Sequence, residues 1–397
     1  MKEFSHITGA FLIQADGSFL NGAGIDSSED SNTTTVPKLM KVLGGEIPYV
    51  SAQAWRRWLR NTAVEEYGWK ASELRAIDFN PKGNTNKIAG ELDPVLCPED
   101  DIFGYMRSIE KDVGKKLRDA EKELDALKKS DSVDDIQIVN LKNKILFYRS
   151  VVDYEENYKD KVKALIRTSP LMTSILSAVT RKDFKTLPIT TDKGFVHLKE
   201  GTPQPYETKF YSVNMQGFFC LDYNRLGVFN NIGDRVELDQ LKIPDLLKTN
   251  LISEEGDKRK KIYKIENLEE TRKKRTAELL SALSVLRGGA KQAAFGTELS
   301  PSFIILAALN CGNAIFNHLF YEEKTLIFKT DSFLEIINDF KDRIIGNVYI
   351  GLRKGYIHNE DEIYKFEEDY NNIVVCSPVE AVRQFVDKEL DYKGLKK

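Results

Sequence analysis

The fold is indicated first by an apolar run near the start of the chain, Ile7-Thr8-Gly9-Ala10-Phe11-Leu12-Ile13-Gln14-Ala15. An apolar run of this length is typical of a buried strand. Residues 16–35 are polar and rich in Gly, Asn and Ser, which predicts a long loop. Loops of that length are usually functional or disordered. The next segment, Val36–Val50, reads as a hairpin turned by Gly44 and Gly45.

Later segments mix helix and strand patterns without a strict βαβ alternation. Residues 101–165 carry apolar residues at three- and four-residue intervals, which predicts a pair of helices over 107–129 and 133–161. Further helices are predicted over Thr276–Leu286, over Asp331–Ile345, and from the capping-box sequence Ser377-Pro378-Val379-Glu380. Strands are predicted within Pro188–Phe229, over Ser302–Leu309 and over Asn347–Tyr356. This arrangement favours an α+β fold.

Composition excludes several classes of protein. The 397 residues provide material for about two to three domains. With 41% hydrophobic and 30% charged residues, the chain is neither disordered nor a disulfide scaffold. No apolar run approaches the roughly 18 residues of a membrane span, and the first 15 residues do not resemble a signal peptide, so a cytoplasmic protein without membrane contact is expected. The formal net charge of -3 excludes a global basic field, so any nucleic-acid site must be a local stripe.

Metal, redox and nucleophilic motifs are absent from the sequence. The cysteines stand far apart without a CxxC pair, which predicts reduced and mostly buried thiols: Cys97, Cys220, Cys311 and Cys376. The histidines are equally scattered: His6, His197, His318 and His358. No metal site, cofactor or catalytic residue is therefore assigned.

The sharpest functional pattern is Val50-Ser51-Ala52-Gln53-Ala54-Trp55-Arg56-Arg57-Trp58-Leu59-Arg60. If Ser51 caps a helix, one face carries the cationic stripe Gln53, Arg56, Arg57 and Arg60, and another carries Trp55, Trp58, Leu59 and Thr62. Guanidinium groups beside a helix N-terminus suit phosphates, because each matches two oxygens at once. The alternative is a solvated face paired with Glu65 and Glu66, and the pattern alone gives the two about equal weight.

Two further segments carry weaker signals. Arg287-Gly288-Gly289-Ala290-Lys291-Gln292 places two glycines and a lysine where a phosphate can approach the backbone, although Gly288 serves equally as a plain helix C-cap. Lys258–Arg275 holds nine basic residues and is the only strongly positive run. It reads as a loop that contacts target DNA or, slightly favoured, as a charged surface loop.

These segments together resemble a known family. Ile7–Ala10, the loop at Asn21-Gly22, Tyr49–Arg60, and Leu286–Gln292 with Leu299–Ser302 resemble the backbone subunit of the type I CRISPR Cascade effector complex, in its DevR-like branch. The resemblance implies a ferredoxin-like, RNA-recognition-type antiparallel sheet called the palm, with inserted helical fingers and a β-hairpin thumb. It places the palm in 1–77 and 176–397, the fingers in 78–168, the thumb in 190–214 and a basic loop or web in 255–275.

The resemblance also implies a set of RNA contacts and partners. Phosphate contacts are implied for Ser51, Gln53, Arg56, Arg57 and Arg60, for the clamp Gly288, Gly289, Lys291 and Gln292, and for Asn21. The protein would be a non-catalytic subunit that polymerises along the guide RNA (crRNA) as a helical filament of its own copies. Target DNA and the large, 5′-handle-binding and crRNA-processing subunits of Cascade would be its other partners.

Two other functions stay open at this stage. A metal-dependent endoribonuclease of the type III backbone kind would use Asp16, Asp26 or Asp30 in the first loop. A protein-interaction subunit would instead pair the arginine helix with an acidic partner and would not depend on RNA.

Overall fold

The computed structural model describes residues 3–25, 34–79, 85–90, 92–107, 113–129, 135–157, 165–187, 190–197, 199–233, 235–240, 242–257 and 260–395. The chain divides into two units. The first comprises Met1–Gly68, Leu171–Asn224 and Arg272–Lys397, and the second comprises Trp69–Pro170 and Arg225–Thr271.

The described residues form strands and helices in an irregular order along the chain. The strands are β1 (His6–Ser18), β2 (Gly22–Ile25), β3 (Thr34–Pro37), β4 (Leu39–Val42), β5 (Gly45–Val50), β6 (Leu74–Phe79), β7 (Thr85–Gly90), β8 (Tyr105–Arg107), β9 (Leu165–Arg167), β10 (Leu171–Thr173), β11 (Leu176–Ala178), β12 (Thr190–Val196), β13 (Gln204–Asp222), β14 (Val228–Ile232), β15 (Arg235–Val236), β16 (Ile252–Asp257), β17 (Lys260–Ile265), β18 (Phe303–Leu309), β19 (Phe320–Glu322), β20 (Leu326–Phe328), β21 (Ile344–Leu352) and β22 (Ile373–Cys376). The helices are α1 (Ala52–Tyr67), α2 (Pro98–Phe103), α3 (Val113–Leu127), α4 (Asp135–Asn157), α5 (Ile243–Lys248), α6 (Leu268–Ser284), α7 (Gln292–Phe295), α8 (Thr330–Asp339), α9 (Glu360–Asp369) and α10 (Pro378–Lys388). Helices combined with a large, mainly antiparallel sheet confirm the α+β prediction.

The large sheet of the first unit has the strand order β22-β21-β18-β1-β13-β11-β5-β4. The central strand β1 pairs antiparallel with both β13 and β18, whereas β21 and β22 are parallel. β4 and β5 form the predicted hairpin, with Val42 opposite Gly45 across its turn. Strand β1 therefore lies between β13 and β18, two strands from later in the chain.

Strand β1 is covered on both faces, because successive side chains of a strand point to opposite sides. Phe11 contacts Trp55 of α1 edge-on, with ring centroids 5.4 Å apart. Leu12 belongs to a buried cluster that includes Phe303 and Phe328. A strand buried on both faces reads as a continuous apolar run, and this explains why the first strand is evident in the sequence.

A long hairpin of the first unit is formed by β12 and the first half of β13. Its pairing runs from Thr190 opposite Phe210 to Val196 opposite Gln204. Phe195 and Val196, near its turn, are 64% and 51% exposed. A hairpin thus lies within the segment 190–214, and its role as a thumb stays a prediction.

The second unit contains a separate sheet in the order β16-β17-β14-β15-β9-β8. The predicted pair of helices corresponds to α3 and α4, which pack through a cluster of buried side chains: Ala120, Leu124, Leu141, Ile145 and Tyr148. This unit also includes Arg225–Thr271, which the sequence assigned to the palm. The division into palm and fingers stays a prediction.

A buried ionic network ties this second unit together. The side chains of Arg167 and Asp101 are both fully buried and form an ion pair, and Glu237 lies 3.4 Å from the Arg167 guanidinium. The guanidinium also stacks on Phe229, 4.6 Å from the ring centroid. Asp101 Oδ2 accepts a hydrogen bond from the Gly227 amide at 3.0 Å. The charges are therefore paired and hydrogen-bonded, as burial requires.

The structure differs from the sequence in the basic run, of which Lys258 and Arg259 lie outside the described residues. The described part is not a loop, because it forms β17 and the start of α6. Lys261 pairs with Glu254 at 2.9 Å and Lys264 with Glu255 at 2.6 Å, both across the β16–β17 pair. Two of the basic residues, Lys261 and Lys264, are thus paired with carboxylates of a neighbouring strand.

Two predicted helices differ in detail. The helix predicted over Asp331–Ile345 ends at Asp339, and Ile344 already begins β21. At α10, Ser377 occupies the N-cap position but its side chain makes no capping hydrogen bond. Glu380 pairs instead with Arg383 at 2.7 Å. The capping box is therefore not formed, although the helix starts where the motif indicates.

Candidate nucleic-acid interface

The arginine helix begins as the sequence predicts. Ser51 has extended backbone angles, φ -62° and ψ 147°, and its hydroxyl accepts a hydrogen bond from the Ala54 amide at 3.3 Å. This satisfies one of the amides that a helix N-terminus leaves without a partner. The helix then runs to Tyr67 and ends at Gly68 in a left-handed conformation.

One face of α1 anchors it to the sheet. Trp55, Trp58, Leu59 and Thr62 are all buried, as their spacing predicts. The Trp55 indole donates a hydrogen bond to the Ser174 carbonyl at 2.7 Å. Because this face is fixed, the side chains of the opposite face are held at defined positions.

The four residues of the cationic stripe have different environments. Gln53 and Arg57 are exposed, whereas Arg56 and Arg60 are partly buried. Arg57 makes no hydrogen bond or ion pair with any residue that the structure describes. Arg56 donates to the Leu171 carbonyl at 2.9 Å and to Thr173 Oγ1 at 3.2 Å. Arg57 and Gln53 are therefore presented to solvent, and Arg56 also fastens the helix to β10.

The environment of Arg56 disfavours its charge. Burial, and secondarily the nearby Arg60, lowers the pKa of Arg56 from 12.5 to about 10. The guanidinium still carries its charge at neutral pH, but at a free-energy cost. A bound anion would offset that cost.

The acidic residues of α1 are engaged elsewhere. Glu65 and Glu66 both pair with Arg287, at 3.0 and 2.5 Å. In the alternative interpretation these glutamates neutralise the stripe. Their observed partner instead belongs to the segment that leads into the glycine turn.

The glycine turn packs directly on α1. Gly288 and Gly289 have φ of 149° and 91°, values that disfavour other residues. A Cβ at Gly288 would lie 2.7 Å from Trp58 Cβ, so only glycine fits against this helix. The residue is thus required by a close approach and not only by a helix end.

Lys291 and Gln292 lie just after the turn and are partly engaged within the protein. Lys291 Nζ donates to Thr208 Oγ1 at 2.5 Å and lies 5.2 Å from the centroid of the Phe19 ring. Gln292 donates to the Gly288 carbonyl. Lys291 itself remains exposed. Its charge is therefore held beside the end of β1.

The loop after β1 meets the same turn. The Ala290 amide donates to the Leu20 carbonyl at 3.0 Å, and the Asn21 carbonyl accepts from the Lys38 amide at 2.8 Å. The Asn21 side-chain nitrogen is buried and has no hydrogen-bond partner among the described residues. A buried amide donor without a hydrogen-bond partner destabilises the fold unless a ligand or water accepts a hydrogen bond from it.

Three segments that are distant in sequence thus meet in the first unit: the serine-capped helix, the glycine turn and the loop after β1. Trp58 contacts Gly288, and Leu20 contacts both Gly289 and Ala290. Each of the predicted contact residues belongs to one of these three segments, and their joint role in binding stays a prediction.

Comparison with known proteins gives similarity at the level of structure only. No protein-family model and no curated protein matches the sequence. A solved chain described as a CRISPR RNA-guided surveillance complex aligns with 97% of this chain and 100% of its own length, at 11% identity and a TM-score of 0.44. Another, described as a CRISPR RNA-guided surveillance complex, pre-nicking, aligns over 96% and 99% at 12% identity and 0.46. Similarity this low assigns neither a function nor a residue role to this chain.

The sequence patterns do not predict the contacts of three residues in this region. Phe19 and Thr208 contact Lys291, and Thr62 contacts the backbone of Arg287. Thr62 is recognisable only as a member of the buried helix face, and nothing in the sequence joins Phe19 to a lysine far along the chain. These contacts depend on tertiary structure.

The acidic candidates of the first loop are only partly placed. Asp16 is exposed and accepts a hydrogen bond from Gln14 at 2.7 Å, in an open cleft of about 580 Å³ lined also by Glu298 and Arg353. Asp26 and Asp30 lie outside the described residues. Within the described ranges, no three His, Cys, Asp or Glu residues are grouped so that they could hold a metal ion.

Reactive thiol chemistry is not favoured at Cys220 or Cys376. The four thiols are free, and Cys97 and Cys220 are buried. Burial raises the pKa of Cys220 and of Cys376 to about 11, so both stay protonated at neutral pH.

Over the same described residues, no helix is long and apolar enough to cross a membrane.

Proposed function

We propose that this protein is a non-catalytic guide-RNA-binding backbone subunit of a type I CRISPR interference complex, of the DevR-like kind. The observation that carries the proposal is the meeting of the arginine helix, the glycine turn and the loop after β1 in one region. Each of these segments offers groups that bind phosphate or sugar.

The chemistry of the region suits an RNA backbone. Arg57 and Gln53 are exposed beside the N-terminal turn of α1, where helix amides and the helix dipole favour an anion. The bare backbone at Gly288 and Gly289 allows a phosphate to approach closely. Ser51, Arg56, Arg60, Lys291, Gln292 and Asn21 complete the proposed contacts. A protein that holds guides of any sequence must contact phosphate and sugar instead of base edges.

The charge distribution is consistent with repeated copies on one RNA. A formal net charge of -3 lets identical subunits pack together, while positive charge is needed only along the RNA groove. We therefore propose that copies of the chain assemble along the crRNA in a helical filament. In this proposal the inserted helices act as fingers, the 190–214 hairpin acts as the thumb, and base pairing presents the guide to target DNA.

The remaining proposed partners are the large subunit, the 5′-handle-binding subunit and the crRNA-processing subunit of such a complex. In the 258–275 run, Lys261 and Lys264 already have carboxylate partners, so these two residues are not proposed as contacts to target DNA.

The test measures RNA in the purified protein. Absorbance at 260 and 280 nm and size-exclusion profiles are recorded before and after ribonuclease, for the protein co-expressed with a guide RNA. The Arg57→Ala, Lys291→Ala double variant is compared with Lys324→Ala, Lys365→Ala, which removes the same charge from two exposed lysines elsewhere. We expect ribonuclease-sensitive assemblies in the native protein and in the control, and their loss in the first variant.

Other outcomes identify the competing functions. An RNA-free monomer in all samples would contradict the proposal and favour the protein-interaction subunit. Divalent-metal-dependent cleavage of guide-matched RNA, abolished by Asp16→Ala, would show the endoribonuclease.

A further inference from the structure

Thr62 connects the arginine helix to the glycine turn. Its side chain is 1% exposed and lies on the anchored face of α1. Thr62 Oγ1 accepts a hydrogen bond from the Arg287 amide at 3.1 Å and lies 2.9 Å from the Trp58 carbonyl and 3.3 Å from the Arg287 carbonyl. A hydroxyl has one proton and two lone pairs, so it can accept from Arg287 and donate to one of these carbonyls at the same time.

Both ends of Arg287 are thereby attached to α1. Its backbone is held by Thr62, and its guanidinium pairs with Glu65 and Glu66 one turn further along the helix. The next residue, Gly288, lies against Trp58, so a short stretch of the turn follows the helix surface. We call this set of contacts, from Thr62, Glu65 and Glu66 to Arg287, the latch.

The latch determines where the turn stands relative to the cationic stripe. Trp58 and Thr62 lie on the buried face of α1, whereas Arg57 is exposed and Arg60 is partly buried. A glycine turn that is fixed to Trp58 and Thr62 is therefore also fixed relative to Arg57 and Arg60. Phosphates bound by the turn and by the stripe must then have a set spacing, and spacing matters because contacts held in place bind without an ordering cost.

We infer that Thr62 is a positioning residue for RNA: through Arg287 it holds the glycine turn at the distance from the arginine face at which one strand contacts both. The inference rests on the proposed RNA-binding function. Thr62 touches no ligand in this account, and its hydroxyl acts only on the backbone of the turn.

The test compares Thr62→Val, which keeps the side-chain shape and removes the hydroxyl, with Thr62→Ser, which keeps the hydroxyl. RNA affinity is measured against salt concentration with a labelled single-stranded RNA of about 30 nucleotides. We expect Thr62→Val to bind about tenfold more weakly and its salt slope to fall by about 0.7 to 1.4, the loss of one or two phosphate contacts on a single strand. Thr62→Ser should retain the native affinity and slope.

A purely structural role would lower the melting temperature without changing the salt slope of the folded protein. Native affinity and slope in folded Thr62→Val would therefore overturn the inference. In a background of Lys291→Ala, Gln292→Ala, where the turn has already lost its side-chain contacts, the further effect of Thr62→Val should be small. A full tenfold loss in that background would also overturn it.

A second measurement tests the inference if Thr62→Val folds poorly. Hydrogen exchange at the Arg287 amide should be slow in the native protein and in Thr62→Ser, and RNA should slow it further. Exchange at this amide that is fast in the native protein would overturn the inference. If Arg57→Ala and Lys291→Ala leave RNA affinity unchanged, the proposed function fails and the inference fails with it. If these two variants weaken RNA binding but Thr62→Val does not, only the inference is refuted.

Discussion

Replacement of Gly288 by alanine tests the packing that joins the two halves of the proposed interface. The added Cβ would lie 2.7 Å from both Cβ and Cδ1 of Trp58. Neither atom is the end of a flexible chain, since the Trp58 side chain is only 9% exposed and its Cβ is fixed by the helix. The turn must therefore move away from α1, or the helix must shift.

The magnitude follows from two costs. Overpacking of a buried contact costs about 1–3 kcal/mol. A non-glycine residue at the Gly288 φ of 149° adds about 1–3 kcal/mol of backbone strain. We therefore expect Gly288→Ala to lower the free energy of unfolding of the first unit by about 2–6 kcal/mol.

The control is Gly296→Ala, whose glycine also has a positive φ, 58°, but whose added Cβ would have no atom within 4 Å. This variant incurs only the backbone strain. Urea denaturation is followed by tryptophan fluorescence, because Trp55 and Trp58 both lie on α1 and report on this region. A midpoint for Gly288→Ala equal to that of Gly296→Ala would refute the argument from the Trp58 contact.

Three further predictions concern other parts of the molecule. Asp101→Asn should destabilise the protein by about 3–5 kcal/mol in denaturation, because it removes the nearest counter-charge of the buried Arg167 and leaves only Glu237, at 3.4 Å. Glu121→Gln, at the exposed pair with Arg149, should cost less than about 1 kcal/mol. Arg57→Ala should leave the unfolding midpoint unchanged and lower the salt slope of RNA binding by about 0.7, and an unchanged slope would remove Arg57 from the phosphate contacts. Burial raises the pKa of Glu322, so the folded protein binds a proton at this carboxyl more tightly than the unfolded chain does. The free energy of unfolding should therefore fall as pH rises from about 4.5 through the raised pKa. In thermal denaturation measured against pH, Glu322→Gln should lack this decrease.

Local signals account for what the sequence predicts well. The start of α1 follows from the Ser51 cap and from the spacing of Trp55 and Trp58, all within a few residues. Strand β1 is evident because both of its faces are buried. In each case the residues that decide the structure are neighbours in the chain, so a pattern over a short window contains the information.

Tertiary contacts account for what the sequence does not predict. The hydrogen bond between Thr62 and Arg287 joins residues 225 positions apart. In the basic run, Lys261 and Lys264 pair with Glu254 and Glu255 on β16, and a count of charges within the run cannot include these partners. The same holds for Arg56, which its spacing assigns to the exposed stripe and which β10 partly covers.

The charge of Arg56 carries a free-energy cost that the proposed RNA contact would offset. A folded chain that lowers the pKa of Arg56 to about 10 binds that proton less tightly than the unfolded chain does, so at every pH below that value the charge is a cost to folding. Glu65 and Glu66 lie on the same helix, about two and a half turns further on. They are instead paired with Arg287, where they help to fix the glycine turn. The acidic residues of the helix thus contact the segment that leads into the glycine turn. Such a local cost is expected at a functional site, and binding of a phosphate chain would repay it by linkage, since a ligand that binds only the folded protein stabilises it.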